Sequence, residues 1–270
     1  MSQKELKEYF IYRSLDDDQL REYDRTGFHR CGPILTAPGL EEVRRQCMTA
    51  WEEEKRSFDP GKTWLENALL VNIHHEASVV RDFYFDGPLV DIAQQIIGPN
   101  IKGATSQLTF KMKGNTKEFP WHQDNGYGEL DPYNAISCLT SLDDADEENG
   151  CLFLIPGSHK EGQRRHEEKY GAQGASSNRE LKLKADESKA IPIPMKAGEC
   201  IFFNCWTLHK SGGNNSDRDR RILFLRYADA DALEVHNGRK PRLGRLLRGT
   251  TRFDSVREFE ADLASTIQRV

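Results

Sequence analysis

The chain is short of several things, and each shortage narrows the choices. Its six cysteines, Cys31, Cys47, Cys138, Cys151, Cys200 and Cys205, form no C-x-x-C pair. That argues against a zinc ribbon or a thioredoxin-like site, and four of the six lie in apolar stretches, as small buried hydrophobes do. There is no basic excess: 38 Lys and Arg face 43 Asp and Glu, for a net charge of −5. This balance argues against a nucleic-acid partner. No apolar run approaches the roughly 18 residues that a membrane-spanning helix needs. The opening residues MSQKELKEYF lack an apolar signal core, and the closing IQRV is no address signal. A cytoplasmic protein is expected, with no nucleic acid and no membrane as partner, acting as a monomer or homodimer. Its 270 residues suffice for one sizeable core.

Histidine is scarce too, with eight in the chain, so its placement can be read residue by residue. The stretch FPWHQD, residues 119–124, sets His122 two residues before Asp124. With 8 His and 20 Asp in the chain, chance alone places an Asp two after a His in about every second chain of this composition. Counting Glu, the pattern also occurs at His74/Glu76, His159/Glu161 and His166/Glu168. Context separates them. Side chains two apart on a strand share a face, and Pro120 disfavours a helix here, so His122 and Asp124 converge if the segment is extended. The other three pairs are expected to be solvated, because His74 lies in a mixed stretch and the other two in a charged loop where ordering free side chains costs entropy. His29, His75 and His236 have no companion pattern.

The first hundred residues predict helices. SLDDDQLREYDRTG has an acidic start and a Gly stop, and PGLEEVRRQCMTAWEEEKRSF sets Leu40, Val43, Cys47 and Trp51 at helical spacing. PLVDIAQQIIGPN ends at Gly98-Pro99. From about residue 101 the texture changes to short strands: ATSQLTFKMK, AISCLTSL, GCLFLIPGSH, IPIPM, GECIFFNCW and RRILFLRYA. Many short strands with Gly and Pro turns predict a sandwich or barrel. Residues 157–190 are charged and Gly/Ser-rich, and read either as a solvated loop or as a lid over a site. SVREFEADLASTIQRV predicts a terminal helix with Val256, Phe259 and Leu263 on one face. The expected organisation is one domain over 1–270: a helical region to about 100, a β core over about 101–228, and a tail with a helix over 229–270.

A His/Asp pair needs a third ligand to hold a catalytic metal. His209 in CWTLHKSGGNNSDRDRR follows an apolar strand and precedes a Gly/Asn turn, which puts it at a strand end. Two histidines and one carboxylate on one face of an octahedron leave three positions open, the arrangement of non-heme Fe(II) oxygenases. Arg220 and Arg221 follow 11 and 12 residues later, and a guanidinium grips a carboxylate with two hydrogen bonds.

FPWHQD, LDDADEENGCLFLIPGSHKEG and HKSGGNNSDRDRR, in that order over roughly 105–228, resemble the phytanoyl-CoA dioxygenase family of Fe(II)/2-oxoglutarate oxygenases, a group that includes ectoine hydroxylases. The resemblance implies a mainly β fold with flanking helices around a double-stranded β-helix, a cupin-like jelly roll. It implies Fe(II) on His122, Asp124 and His209, and 2-oxoglutarate held by Arg220 and Ser211. It implies O2 consumption with release of succinate and CO2, and oxidation, most simply hydroxylation, of an unactivated C–H bond of a small molecule. His159 is not an iron ligand in the family, and Arg221 reads as a structural or surface arginine, although a one-residue strand slip would swap its face with that of Arg220. Asp124 argues against halogenation, because halogenating relatives replace this carboxylate. Lys111, Lys113, Asn125, Tyr127 and Trp206 are candidate substrate contacts, and their polarity suggests a small polar metabolite. Two alternatives stay open: a non-catalytic metal-binding jelly roll, and a metal-dependent hydrolase.

Overall fold

The computed structural model of the chain describes residues 7–56, 69–169 and 180–263. Among the described residues, the helices that bear on the fold are α1 Asp17–Thr26, α2 Ala37–Arg56, α3 Ile73–Glu76, α4 Ser78–Asp86, α5 Pro88–Ile97 and α6 Asp254–Glu258. Local chemistry sets their ends. The Asp16 carboxylate accepts from the Gln19 backbone N–H, and the Gln19 side chain accepts from the Asp16 N–H, a reciprocal cap on α1. That helix stops at Gly27, whose φ of 82° lies in the left-handed region where glycine is least strained. Helix α5 starts on Pro88, where a missing N–H costs nothing, and ends at Gly98.

The strands are β1 Phe28–Pro33, β2 Leu69–Val71, β3 Ile101–Lys111, β4 Phe119–His122, β5 Leu130–Asp131, β6 Ala135–Ser141, β7 Leu152–Leu154 and β8 Glu167–Lys169. They continue with β9 Glu180–Lys182, β10 Ile191–Ile193, β11 Glu199–Asn204, β12 His209–Ser211, β13 Arg220–Asp229, β14 Leu233–Glu234, β15 Lys240–Pro241 and β16 Arg245–Arg248. A seven-stranded sheet runs β1-β11-β6-β13-β3-β16, with β2 also on β3. A four-stranded sheet runs β10-β7-β12-β4. Among the described residues the strand pairings in both sheets are antiparallel, and the fold is mainly β with a jelly-roll core.

Period-two alternation assigns the two faces of the large sheet. Cys200, Phe202, Leu223, Leu225 and Tyr227 pack with Val43, Phe83 and Leu89 of the helical layer. Ile201, Phe203, Ile222 and Leu139 point the other way, against Leu152, Leu154 and Ile193 of the small sheet. Strand β6 is buried along all seven residues because both of its faces are covered. Each fully buried Leu, Ile or Phe contributes about 1.5–3 kcal/mol, so both layers stabilise the sheet that carries the site.

The structure departs from the sequence expectations in three places. The first hundred residues are not only helical: β1 and β2 belong to the large sheet, as does β16 from the tail. The short runs FHRCGP and LLV carry little alternation of their own, and pairing with β11 and β3 determines them. The terminal helix ends at Glu258, and Glu260 has a φ of 52° that turns the chain; residues 264–270 lie outside the described residues. Within 157–190, β8 pairs with β9, and Leu183 packs with Trp121, Ile155 and Leu208 on the outer face of the small sheet. Leu183, Ala185 and Ala190 therefore cover the sheet from outside, Gly162 and His166 reach the turn after β4, and residues 170–179 lie outside the described residues.

Candidate functional site

Strands β4 and β12 are neighbours, and their register sets His122 directly opposite His209. The rings lie 4.1 Å apart, centroid to centroid. Pro120 is tolerated because β4 is an edge strand, and its carbonyl accepts the His122 Nδ1–H at 2.7 Å. The Thr207 carbonyl accepts the His209 Nδ1–H at 3.0 Å. The same device, a carbonyl two residues back, thus fixes both tautomers and leaves both Nε2 lone pairs free to bind a metal. Strand β4 ends at His122, and Asp124 opens a short 3-10 turn, Asp124–Tyr127. Asp124 Oδ1 then lies 3.7 Å from His122 Nε2 and 3.4 Å from His209 Nε2, while Ser137 Oγ–H donates to Oδ2. The convergence expected from an extended segment is realised by a strand end and a turn.

The three residues are 7%, 8% and 5% exposed. Burial, then the neighbouring His209, pushes the His122 pKa down to about 3, so its imidazole is neutral. Burial opposes ionisation of Asp124, yet the two imidazoles and Arg226 hold its carboxyl well below the usual carboxylate range. A carboxylate and two imidazoles, all offering ligand atoms within 4.8 Å of one another, are a donor set that suits Fe(II).

The turn after Asp124 is held from three sides. Gln123 N–H donates to His166 Nε2 at 3.0 Å, Asn125 N–H donates to the Cys205 carbonyl at 3.0 Å, and Gln123 Nε2 donates to the carbonyls of Trp206 and Gly162. A Cβ at Gly126 would stand 2.5 Å from the His166 ring, so this close approach requires glycine. His166 thus supports the turn that carries Asp124 and is not a solvated loop residue.

A cavity of about 640 Å³ opens over the three ligands, within the ~300–1,000 Å³ typical of small-molecule sites. Arg220 begins β13, opposite Lys111 on β3, and lines the cavity. Its Nε and Nη2 donate to the Gly150 carbonyl at 3.1 and 2.8 Å, and burial pushes its pKa down to about 10. Ser211 lines the same end. Lys111 is fully buried behind it, donating to Ser211 Oγ at 2.9 Å and to the carbonyls of Ser211 and Gly212. Burial, then Arg220, pushes the Lys111 pKa down to about 6. Arg221 faces away and makes a two-pronged ion pair with Asp143 at 2.8 and 2.7 Å.

Of the five candidate substrate contacts, only Tyr127 lines the cavity, its ring edge-on to His122 at 5.5 Å. Asn125 is buried in the turn, where its Oδ1 accepts from Leu130 N–H and Arg226. Trp206 stacks on Tyr133 at 3.6 Å. Lys113 is exposed just past β3, its N–H donating to Asp219. Sequence reasoning missed Arg226 and Arg242, which both line the cavity. Arg226 could have been found, since it lies six residues past Arg220 on an alternating strand and so shares its face. Arg242 follows no regular pattern.

The remaining histidines lie elsewhere. His159 Nε2 donates to the Asp24 carbonyl, and His29 pairs with Glu22 at 2.9 Å. His236 is exposed at the cavity rim. His74 is buried and not solvated: with His75 and Glu260 it forms a second cluster of possible metal ligands, described below.

Comparison with known proteins agrees with this geometry. The phytanoyl-CoA dioxygenase (PhyH) profile matches residues 23–222. The chain belongs to the phytanoyl-CoA dioxygenase family. It is an Fe(II)- and 2-oxoglutarate-dependent oxygenase that acts on a small molecule with O2. It is 29% identical over 237 residues to an ectoine dioxygenase of Bordetella parapertussis, covering 79% of this chain and 75% of that one. It is 28% identical over 238 residues to a methylphosphonate hydroxylase of Gimesia maris, covering 85% and 88%. The apo structure of the non-heme monooxygenase ThoJ superposes with a TM-score of 0.71 at 22% identity, over 87% of this chain and 85% of that one, and shares the fold. Among the described residues, no helix of this family member is long and apolar enough to cross a membrane.

Proposed function

We propose that this oxygenase holds Fe(II) on His122, Asp124 and His209, binds 2-oxoglutarate against Arg220 and Ser211, and hydroxylates a C–H bond of a small polar metabolite. The observation that carries the reading is the paired tautomer lock: two Nε2 atoms and one carboxylate oxygen converge on one point while the cavity opens on their other side. When bound, Fe(II) with 2-oxoglutarate and O2 supplies the oxidising power, and 2-oxoglutarate leaves as succinate and CO2.

The chain's own residues supply geometry and charge. Ser137 fixes the outer oxygen of Asp124 and so aims the inner one. The guanidinium of Arg220, anchored on Gly150, presents a rigid fork to the far carboxylate of the co-substrate. Lys111 orients Ser211 from behind. Tyr127 borders the ligand His122 and stands where a substrate enters. The substrate this reading expects is a polar metabolite of the cytoplasm, turned over by a monomer or homodimer. Relatives named ectoine dioxygenase and methylphosphonate hydroxylase accord with a polar substrate, while others are named phytanoyl-CoA dioxygenase.

The test is succinate release from 2-oxoglutarate by Fe(II)-loaded protein, with and without air. Air-dependent succinate that disappears in Asp124→Ala is expected. Substrate turnover that continues under nitrogen would instead mark a metal-dependent hydrolase.

A further inference from the structure

Strand β13 presents Arg220, Ile222, Phe224 and Arg226 to the cavity, alternate residues on one face. The two arginines bracket an apolar floor. Six residues of extended chain separate their Cα atoms by roughly 20 Å, so a five-carbon co-substrate held by Arg220 does not satisfy Arg226 as well.

Arg226 is 8% exposed. Its Nη2 donates to Asn125 Oδ1 at 3.2 Å, an oxygen that already accepts from Leu130 N–H, and its Nε is buried with no hydrogen-bond partner. Its position is fixed by these neutral contacts and by the buried Cys205 thiol beside it. No carboxylate among the described residues lies within ion-pair distance of it. The nearby Asp124 has its charge committed to the metal, and the other acid lining the cavity, Glu118, sits beside β4 and acts on Lys111 at the Arg220 end. A second guanidinium approaches the same end. Arg242 lines the cavity with Nη1 on Glu234 at 2.5 Å and Nη2 on the Ala104 carbonyl at 3.3 Å. Ala104 is where the β3 register against β13 slips by one residue. Burying a guanidinium that feels Asp124 only from beyond ion-pair distance is costly, and a site tolerates it most simply where a ligand brings the anion.

We propose that the substrate carries an oxyanionic group, a carboxylate, phosphate or phosphonate, which Arg226 binds with Arg242 at its side. The substrate is then held by its charged end, and its remaining carbons lie over Ile222 and Phe224 towards the metal. This rests on the oxygenase reading for the identity of the site, while the anion contact itself is read from Arg226 alone.

The experiment titrates the anaerobic Fe(II)- and 2-oxoglutarate-loaded protein with propionate, methyl phosphate and, as a neutral control, propionamide, by calorimetry. The visible charge-transfer band of the chelate is followed in the same samples. At least one anion should bind at a single site without displacing 2-oxoglutarate, and propionamide should not. In Arg226→Met the anion should bind about tenfold or more weakly, with the band intact, and Arg226→Lys should fall between. If Arg226→Met does not fold, Arg242→Met at the rim is read in its place, with severalfold weakening expected. Equal anion affinity in wild type and variant would overturn the proposal, as would anion binding that competes with 2-oxoglutarate, or no anion binding to the loaded protein. A missing band with Arg226-dependent anion binding would overturn the co-substrate assignment alone and leave this proposal supported.

Discussion

Among the described residues, two clusters each bring two histidines and one carboxylate within 4.8 Å, and they differ in what they can do. At His122, Asp124 and His209, the closest Nε2-to-carboxylate distances are 3.4 and 3.7 Å, and the Nδ1–H groups are engaged elsewhere, on backbone carbonyls. The ligand atoms surround a space and border a cavity. At His74, His75 and Glu260, the two Nε2 atoms lie 3.1 and 2.8 Å from separate oxygens of the carboxylate, and His74 Nδ1 lies 2.6 Å from Ser106 Oγ. These atoms satisfy one another directly. The second cluster clasps α3 to the chain after α6, and neither its histidines nor Glu260 lines the cavity. Residue type is therefore a weak guide to a metal centre. What distinguishes the two is which ring nitrogens are already spoken for.

The largest effect is expected at the first cluster: Asp124→Ala or His209→Ala should lower iron-dependent turnover by more than about a thousandfold, read as succinate release at saturating 2-oxoglutarate. Next comes Arg220→Met, which should raise the 2-oxoglutarate concentration needed for half-maximal turnover by roughly ten- to a hundredfold through loss of a charged hydrogen-bonded pair. A change confined to kcat would remove Arg220 from that role.

At the second cluster, Glu260→Ala should cost about 1–3 kcal/mol of stability, the cost of leaving buried His74 unpaired, with turnover per folded molecule unchanged. Thermal melts and activity on the same sample separate the two. The two histidines hold Glu260 below the usual carboxylate range against the opposing effect of burial. Its folded pKa is below its unfolded one, so its contribution is present at neutral pH and is lost as pH falls through the folded value.

A smaller effect is expected from His122 in the metal-free protein. Its folded pKa, about 3, lies below the ordinary 6.5. Between those values the unfolded chain binds a proton that the folded one does not, so metal-free stability should fall on acidification across that window. His122→Asn should flatten this part of the Tm–pH profile, and an unchanged slope would show that burial of His122 is not its source. The smallest effect is at His159, bonded to the Asp24 carbonyl and outside the cavity: His159→Ala should leave turnover within about twofold, as expected for a group that touches neither substrate nor metal.

What the sequence disclosed follows the range of the forces involved. The caps and stops of α1 and α5 are local, and Asp16, Gly27, Pro88 and Gly98 announce them. The strong alternation of β11 and β13 is nearly local, because each buried face follows from period two. His122, Asp124 and His209 were legible from their context and from the motif order. By contrast, β1 and β2 owe their state to pairing partners more than 30 residues away, and their own residues show little of it. The burial of His74 depends on Glu260, 186 residues later, a contact no pattern announces. Lys111 and Asn125 read as polar residues free to meet a substrate, yet both are buried and committed to neighbours. Two cavity-lining cations, Arg226 and Arg242, went unnoticed, one in a strand read for its hydrophobic pattern and one in the stretch read as a tail before the terminal helix.

The most direct test of the central claim is an anaerobic titration of Fe(II)-loaded protein with 2-oxoglutarate, following the visible charge-transfer band of the chelate in wild type, His209→Ala and Glu260→Ala. A band of one equivalent is expected in wild type and in Glu260→Ala, and none in His209→Ala. A band that survives in His209→Ala, or that vanishes in a folded Glu260→Ala, would place the iron elsewhere and contradict the assignment of the two clusters.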